Sequence, residues 1–105
     1  MAQFDLYSNA NNATKAIYPY LLDVQSSLLD SLETRLVIPL ALTSRFKEKA
    51  IKNLTPELTI KGHKYLVLTP QMAAINKKSL GIFIMDLASS RNTIIAAIDF
   101  LITGF

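Results

Sequence analysis

The sequence predicts a mainly β fold with one C-terminal α-helix: a strongly bent antiparallel sheet that closes toward a small barrel, with the helix laid against it. Three observations carry that prediction. Short stretches alternate apolar and polar residues with a period of two, and clusters of turn-forming residues separate them. Strands do not alternate with helical segments, so parallel βαβ units are absent. Only the last stretch, from Asn92 on, holds a helical period.

Gln3 to Tyr7 alternates and reads as a half-buried strand, with Phe4 and Leu6 on one face. Ser8 to Thr14 is a polar loop. Ala16 to Val24 resumes as a strand, and Pro19 within it removes a ladder donor, which predicts an edge or a bulge. Gln25 to Thr34 is a turn-rich connection around Leu28 and Leu29; two adjacent leucines there either plug the core or meet a partner. Arg35 to Leu42 is a buried strand in which Pro39 is expected to force a bulge. Ser44 to Asn53 reads as a loop with a short helical turn. Leu54 to Ile60 alternates, Lys61 to Lys64 is a hairpin turn, and Tyr65 to Thr69 is the pairing strand. Thr69-Pro70 opens a helical turn over Gln71 to Ala74, since proline suits a first helical position. Asn76 to Ser79 is a turn, and Leu80 to Met85 is a second buried run. Ser89 or Ser90 is expected to cap the closing helix.

On that helix Ile94, Ile95, Ile98, Leu101, Ile102 and Phe105 share an arc of about 100°, the width of a core-facing stripe. Asn92, Ala96, Asp99 and Thr103 line the opposite face. Asp99 lies near the negative end of the helix dipole, so either packing alone holds the helix or a partner supplies positive charge there.

At 105 residues the chain is expected to form one domain, and a 50% hydrophobic composition favours a homodimer or another buried interface. No apolar run reaches the roughly 18 residues a membrane span needs, and the N-terminus lacks the features of a signal peptide, so a cytoplasmic protein is expected. Without cysteine there is no disulfide, thiolate nucleophile or cysteine metal site. A net charge of +3 is too weak and scattered for a nucleic-acid groove; Arg45 to Lys52 reads as a solvated face or a phosphate-binding one. His63 is the only histidine and sits in a turn, and no zinc-protease, phosphate-loop or nucleophile-elbow motif occurs. Asp23 and Asp30 read as a carboxylate pair or as loop caps, and Arg35 as a salt-bridge partner or an anion binder. No catalytic residue, cofactor or metal is expected.

An ordered set of segments resembles the CcdB family, the gyrase-poisoning toxins of toxin–antitoxin modules. Asp23-Val24-Gln25-Ser26, Leu28-Leu29-Asp30 and Arg35-Leu36-Val37-Ile38-Pro39-Leu40 resemble its signature stretch. Phe4 with Tyr7 resembles its first strand, Leu68 to Ala73 its Thr-x-x-Met-Ala segment, and the helix ending Gly104-Phe105 its terminus. The resemblance implies an SH3-like barrel, a homodimer, and a protein without catalysis of its own. It implies binding to the DNA gyrase A subunit, trapping of gyrase on cleaved DNA, and neutralisation by a CcdA-type antitoxin. The implied gyrase contacts are Asp23, Gln25, Ser26, Leu28 and Leu29 in the loop, with Arg91, Asn92, Asp99, Thr103, Gly104 and Phe105 on the helix. The family ends Trp-Gly-Ile; this chain has Thr103 in place of the tryptophan and Phe105 in place of the isoleucine. The implied antitoxin contacts are Ser8, Asn9, Asn11 and Asn12 in the lengthened first loop, with Arg45, Lys47 and Lys49. Two alternatives share the barrel: a MazF-like endoribonuclease, and a CcdB homologue that has lost killing.

Overall fold

The computed structural model describes Ala2–Gly104; Met1 and Phe105 lie outside the described residues. Seven strands among them form one curled antiparallel sheet: β1 (Asp5–Asn9), β2 (Tyr20–Asp23), β3 (Thr34–Leu42), β4 (Glu57–Ile60), β5 (His63–Val67), β6 (Ala73–Asn76) and β7 (Leu80–Asp86). A short helix α1 (Thr43–Phe46) follows β3, and the long helix α2 (Arg91–Thr103) closes the chain. The strand order is β4-β5-β3-β2-β1-β7, with β6 also on β3, so β4 and β7 are free edges of a half-barrel.

β3 is the hub. Both of its faces are covered, which explains a continuous apolar run where a half-exposed strand would alternate. One of its edges pairs with β2; the other takes β6 along Thr34–Val37 and then β5 along Leu40–Leu42. The expected bulge at Pro39 is absent: Pro39 pairs with Leu21 in unbroken register. Its carbonyl accepts from the Leu68 N–H at 3.0 Å, and the N–H and C=O of a strand residue point to the same side. The missing donor therefore faces the gap between β6 and β5, where no ladder bond is lost. Pro19 likewise makes no bulge. It precedes β2, an interior strand, and its carbonyl accepts from Asn9 N–H at 3.0 Å.

Lys61 (φ 51°) and Gly62 (φ 84°) both adopt left-handed conformations, giving the two-residue turn between β4 and β5, with Ile60 opposite His63. Phe4 is also left-handed (φ 72°) and buried, so β1 begins at Asp5, two residues later than the alternation implied. The segment read as a helical turn over Gln71–Ala74 is a single 3-10 turn, Thr69–Gln71, followed by β6. β6 was missed because Ala73-Ala74-Ile75-Asn76 has one β-branched residue and no alternation.

The irregularities of the sheet lie on β7, not at the prolines. Leu6, Tyr7 and Asn9 face Met85, Phe83 and Leu80, so the register slips twice. The Leu80–Met85 run is also not buried: Ile82 is 72% and Phe83 55% exposed, because β7 is an edge strand. Gly81 is required at one slip. A Cβ there would overlap Ser8 Oγ and lie 2.9 Å from the Ser8 carbonyl oxygen, while Ser8 Oγ accepts from Ile82 N–H at 2.9 Å. Gly81→Ala is expected to cost about 1–3 kcal/mol of stability by forcing β1 and β7 apart. Urea denaturation measures it, and a loss below about 0.5 kcal/mol would contradict this packing.

The core gathers Phe4, Leu6, Leu22, Ile38, Leu40, Ile60, Val67, Leu87 and Ile94. On α2, Ile94 and Ala97 are buried, and Ile95 and Ile98 pack against the core from its margin. The expected stripe is right in phase there but wrong in length. Leu101 is 38% and Ile102 69% exposed, so the end of the helix overhangs the sheet. Ser90 makes no side-chain cap. The turn before the helix is instead fixed by Ala88 N–H donating to Asp86 Oδ1 at 2.7 Å. Among the described residues no helix is long and apolar enough to cross a membrane.

Candidate partner-binding surfaces

The loop from Val24 to Glu33 is pinned from beneath. Arg35, fully buried, donates from Nε and Nη2 to Asp23 Oδ2 at 2.9 and 2.6 Å and from Nη1 to Asp30 Oδ1 at 2.8 Å. Asp23 Oδ1 accepts from Gln25 N–H at 3.0 Å. Burial pushes the Asp23 carboxyl above its ordinary value, and the Arg35 guanidinium and Gln25 N–H oppose that rise. The Gln25 side chain spans the loop: Nε2 donates to the Leu29 carbonyl at 2.9 Å, and Oε1 accepts from Leu36 N–H at 3.0 Å. Ser26 Oγ accepts from Leu28 N–H at 3.2 Å and starts a 3-10 turn over Ser27–Leu29. Leu28 is 93% exposed and Leu29 49%. Of the two sequence readings, these leucines do not plug the core.

Asp23 and Gln25 therefore need reassignment. Both are buried, with their polar atoms spent inside the protein, so they hold the loop and do not present themselves to a partner. Arg35 is the buried salt-bridge partner, not an exposed anion binder, and Asp23 and Asp30 serve as its two carboxylates.

α2 divides the remaining expected contacts. Arg91 sits over the Phe4 ring, 5.6 Å from its centroid, and approaches Gln3 Oε1 at 3.5 Å. Gln3 in turn donates from Nε2 to the Val24 carbonyl at 3.1 Å, so Arg91 belongs beside the loop. Asn92 is exposed on the same turn. Asp99, Thr103 and Gly104 lie toward the other end of a 13-residue helix, from about 12 Å (Asp99) to about 20 Å (Gly104) along the axis from Arg91. Thr103 Oγ1 donates back to the Asp99 carbonyl at 2.7 Å. Gly104 ends the helix in the left-handed conformation (φ 79°), its N–H donating to the Phe100 carbonyl at 2.9 Å. Thr93, Ala96 and Phe100 line a groove of about 560 Å³ with Asn53 and Pro56. A single chain thus brings the start of the helix, not its tip, to the loop.

The first loop and the basic segment meet. Arg45 Nη1 donates to the Ala16 carbonyl at 3.3 Å, and the Tyr18 and Phe46 rings lie 6.0 Å apart. Lys49 Nζ stands 5.9 Å over the Phe46 ring, and Lys47 is exposed beside it. Ser8 and Asn9 belong to β1 and not to a loop. Asn9 is buried, bonding Thr14 Oγ1, the Tyr18 carbonyl and Asn11 N–H at 2.9–3.0 Å, and Ser8 Oγ is taken by Ile82. Asn11 and Asn12 remain on the surface.

The family model of the CcdB protein matches residues 3–104, nearly the whole chain. The chain belongs to the CcdB family. CcdB proteins are the toxins of CcdA/CcdB toxin–antitoxin modules, and the curled sheet with a C-terminal helix agrees with the fold of that family. Among the described residues no group of His, Cys, Asp or Glu is placed to hold a metal. Sequence reasoning missed two features of this CcdB chain. One is that the salt bridge of Arg35 is a buried clamp on two carboxylates at once, hinted at by acids on both sides of an arginine in an apolar strand. The other is Leu32, 46% exposed, whose signal is a further leucine in a turn of Ser, Asp and Glu.

Proposed function

We propose that this toxin binds the DNA gyrase A subunit and traps gyrase on cleaved DNA, and that a CcdA-type antitoxin neutralises it. The observation that carries the reading is the pinned loop: Leu28 and Leu29 are held out to solvent by a buried network, in the stretch that resembles the family's gyrase-binding segment. Ser26, Arg91 and Asn92 complete that face. Asp99, Thr103, Gly104 and Phe105 form its second part at the helix tip, with Phe105 outside the described residues. A homodimer accounts for the exposed Ile82, Phe83, Leu101 and Ile102. It would also supply a second helix tip, so that the two parts need not come from one chain. The antitoxin surface is Asn11, Asn12, Arg45, Lys47 and Lys49, whose positive charge suits an acidic tail. The toxin acts by differential binding to one gyrase state and needs no chemistry of its own.

The test adds purified protein to gyrase with supercoiled plasmid, and separately to single-stranded RNA. Linear DNA after detergent and protease is expected, with RNA intact. Deleting Gly104 and Phe105 is expected to abolish linearisation while the protein still melts as a folded dimer. RNA cleavage without gyrase would replace this reading with an endoribonuclease, and inactivity in both assays would mean a homologue that no longer kills.

A further inference from the structure

A surface loop built of Ser and Asp ordinarily turns its few leucines inward, because exposed apolar area is unfavourable in water. This one cannot. Gln25 fixes the Leu29 carbonyl from one side. Arg35 and Lys77 fix Asp30, the latter by Nζ donating to its carbonyl at 2.8 Å. Leu32 N–H donates to the Leu29 carbonyl at 3.2 Å, which sets Leu32 one turn beyond Leu29 on the same rigid frame. Leu28, Leu29 and Leu32 are thereby held at 93%, 49% and 46% exposure. A surface held this way loses little conformational freedom on binding, so most of the apolar area it buries counts toward affinity. At the helix tip, Thr103 turns its hydroxyl back onto its own helix and offers a partner one methyl group.

We propose that Leu32 is a third apolar contact to gyrase and that, in this chain, the Leu28–Leu29–Leu32 loop, rather than Thr103 at the helix tip, carries the apolar binding. The proposal rests on the gyrase reading above. Its occupant is an apolar pocket on the gyrase A subunit, reached by continuity with Leu28 and Leu29.

Calorimetric titration of a gyrase A fragment with wild type, Leu28→Ser, Leu32→Ser and Thr103→Ala tests it, with thermal melting and sedimentation on each. Leu32→Ser is expected to weaken gyrase binding about tenfold, with melting and dimer assembly unchanged. Thr103→Ala is expected to change affinity less than about threefold. Wild-type affinity for Leu32→Ser, with Leu28→Ser weakened, overturns the proposal and leaves the gyrase reading standing. A larger loss at Thr103 than at Leu32 overturns it by returning the apolar contact to the helix tip. Loss of dimer assembly in Leu32→Ser overturns it by giving the leucine to a second copy. A wild-type protein that does not bind gyrase removes the reading, and the proposal with it.

Discussion

Arg35→Ala is expected to lower folding stability by about 3–5 kcal/mol, because it strands the carboxylate of Asp23 in the interior without its counter-ion. Both side chains of that pair are fully buried, so solvent does not screen the interaction and cannot replace it. For a chain of this size the loss corresponds to a fall in Tm on the order of 15 °C or more. Arg35→Lys is expected to be intermediate: an ammonium restores charge but cannot reproduce the fork that meets Asp23 through two nitrogens and Asp30 through a third. Thermal and urea unfolding of the two variants beside wild type decide the matter. A loss below about 1 kcal/mol for Arg35→Ala would show that the clamp is not formed in solution.

Ile94→Asp is expected to prevent folding, since Ile94 is wholly buried among apolar core residues and a carboxylate there would lose its hydration. The milder Ile94→Ala keeps the comparison quantitative, at about 2–4 kcal/mol. Ile102→Asp, at a position 69% exposed, is expected to leave the fold of the single chain within about 0.5 kcal/mol of wild type. Circular dichroism at matched concentration separates them. Equal damage from aspartate at 94 and at 102 would mean that the whole helix is packed and that its end does not overhang.

That contrast marks what could be read from the sequence. The angular phase of α2 was legible because Ile94 and Ile98 recur at helical spacing. Where the helix leaves the sheet was not, because that depends on how far β-strands from distant parts of the chain extend beneath it. The hairpin at Lys61-Gly62 and the burial of β3 were legible for local reasons: a turn that needs left-handed residues, and an apolar run bounded by polar ones. β7 misled because Leu-Gly-Ile-Phe-Ile-Met reads the same at the centre of a sheet and at its edge. Within the candidate site, the stretch from Asp23 to Leu29 was legible as a set. Which of its members face outward was not, since Asp23 and Gln25 are withdrawn by partners at Arg35 and Leu36 that no local pattern reveals.

The pairing of β1 with β7 has a consequence for how the protein is made. Leu6 lies opposite Met85, so the first strand waits for almost the whole chain before its outer edge is satisfied. Pairings that span such separations slow folding, because loop closure precedes any gain from the contact. During synthesis from the N-terminus the central strands β2, β3 and β5 can assemble early, while β1 keeps an open edge until β7 has left the ribosome. α2 follows β7, and Arg91 reaches the Gln3 and Phe4 segment only then. The loop is framed early by β3, but the face it shares with the helix is completed last. A nascent or truncated chain would therefore lack that shared face, and the interval before β7 pairs is when the protein is most exposed to sheet-edge aggregation.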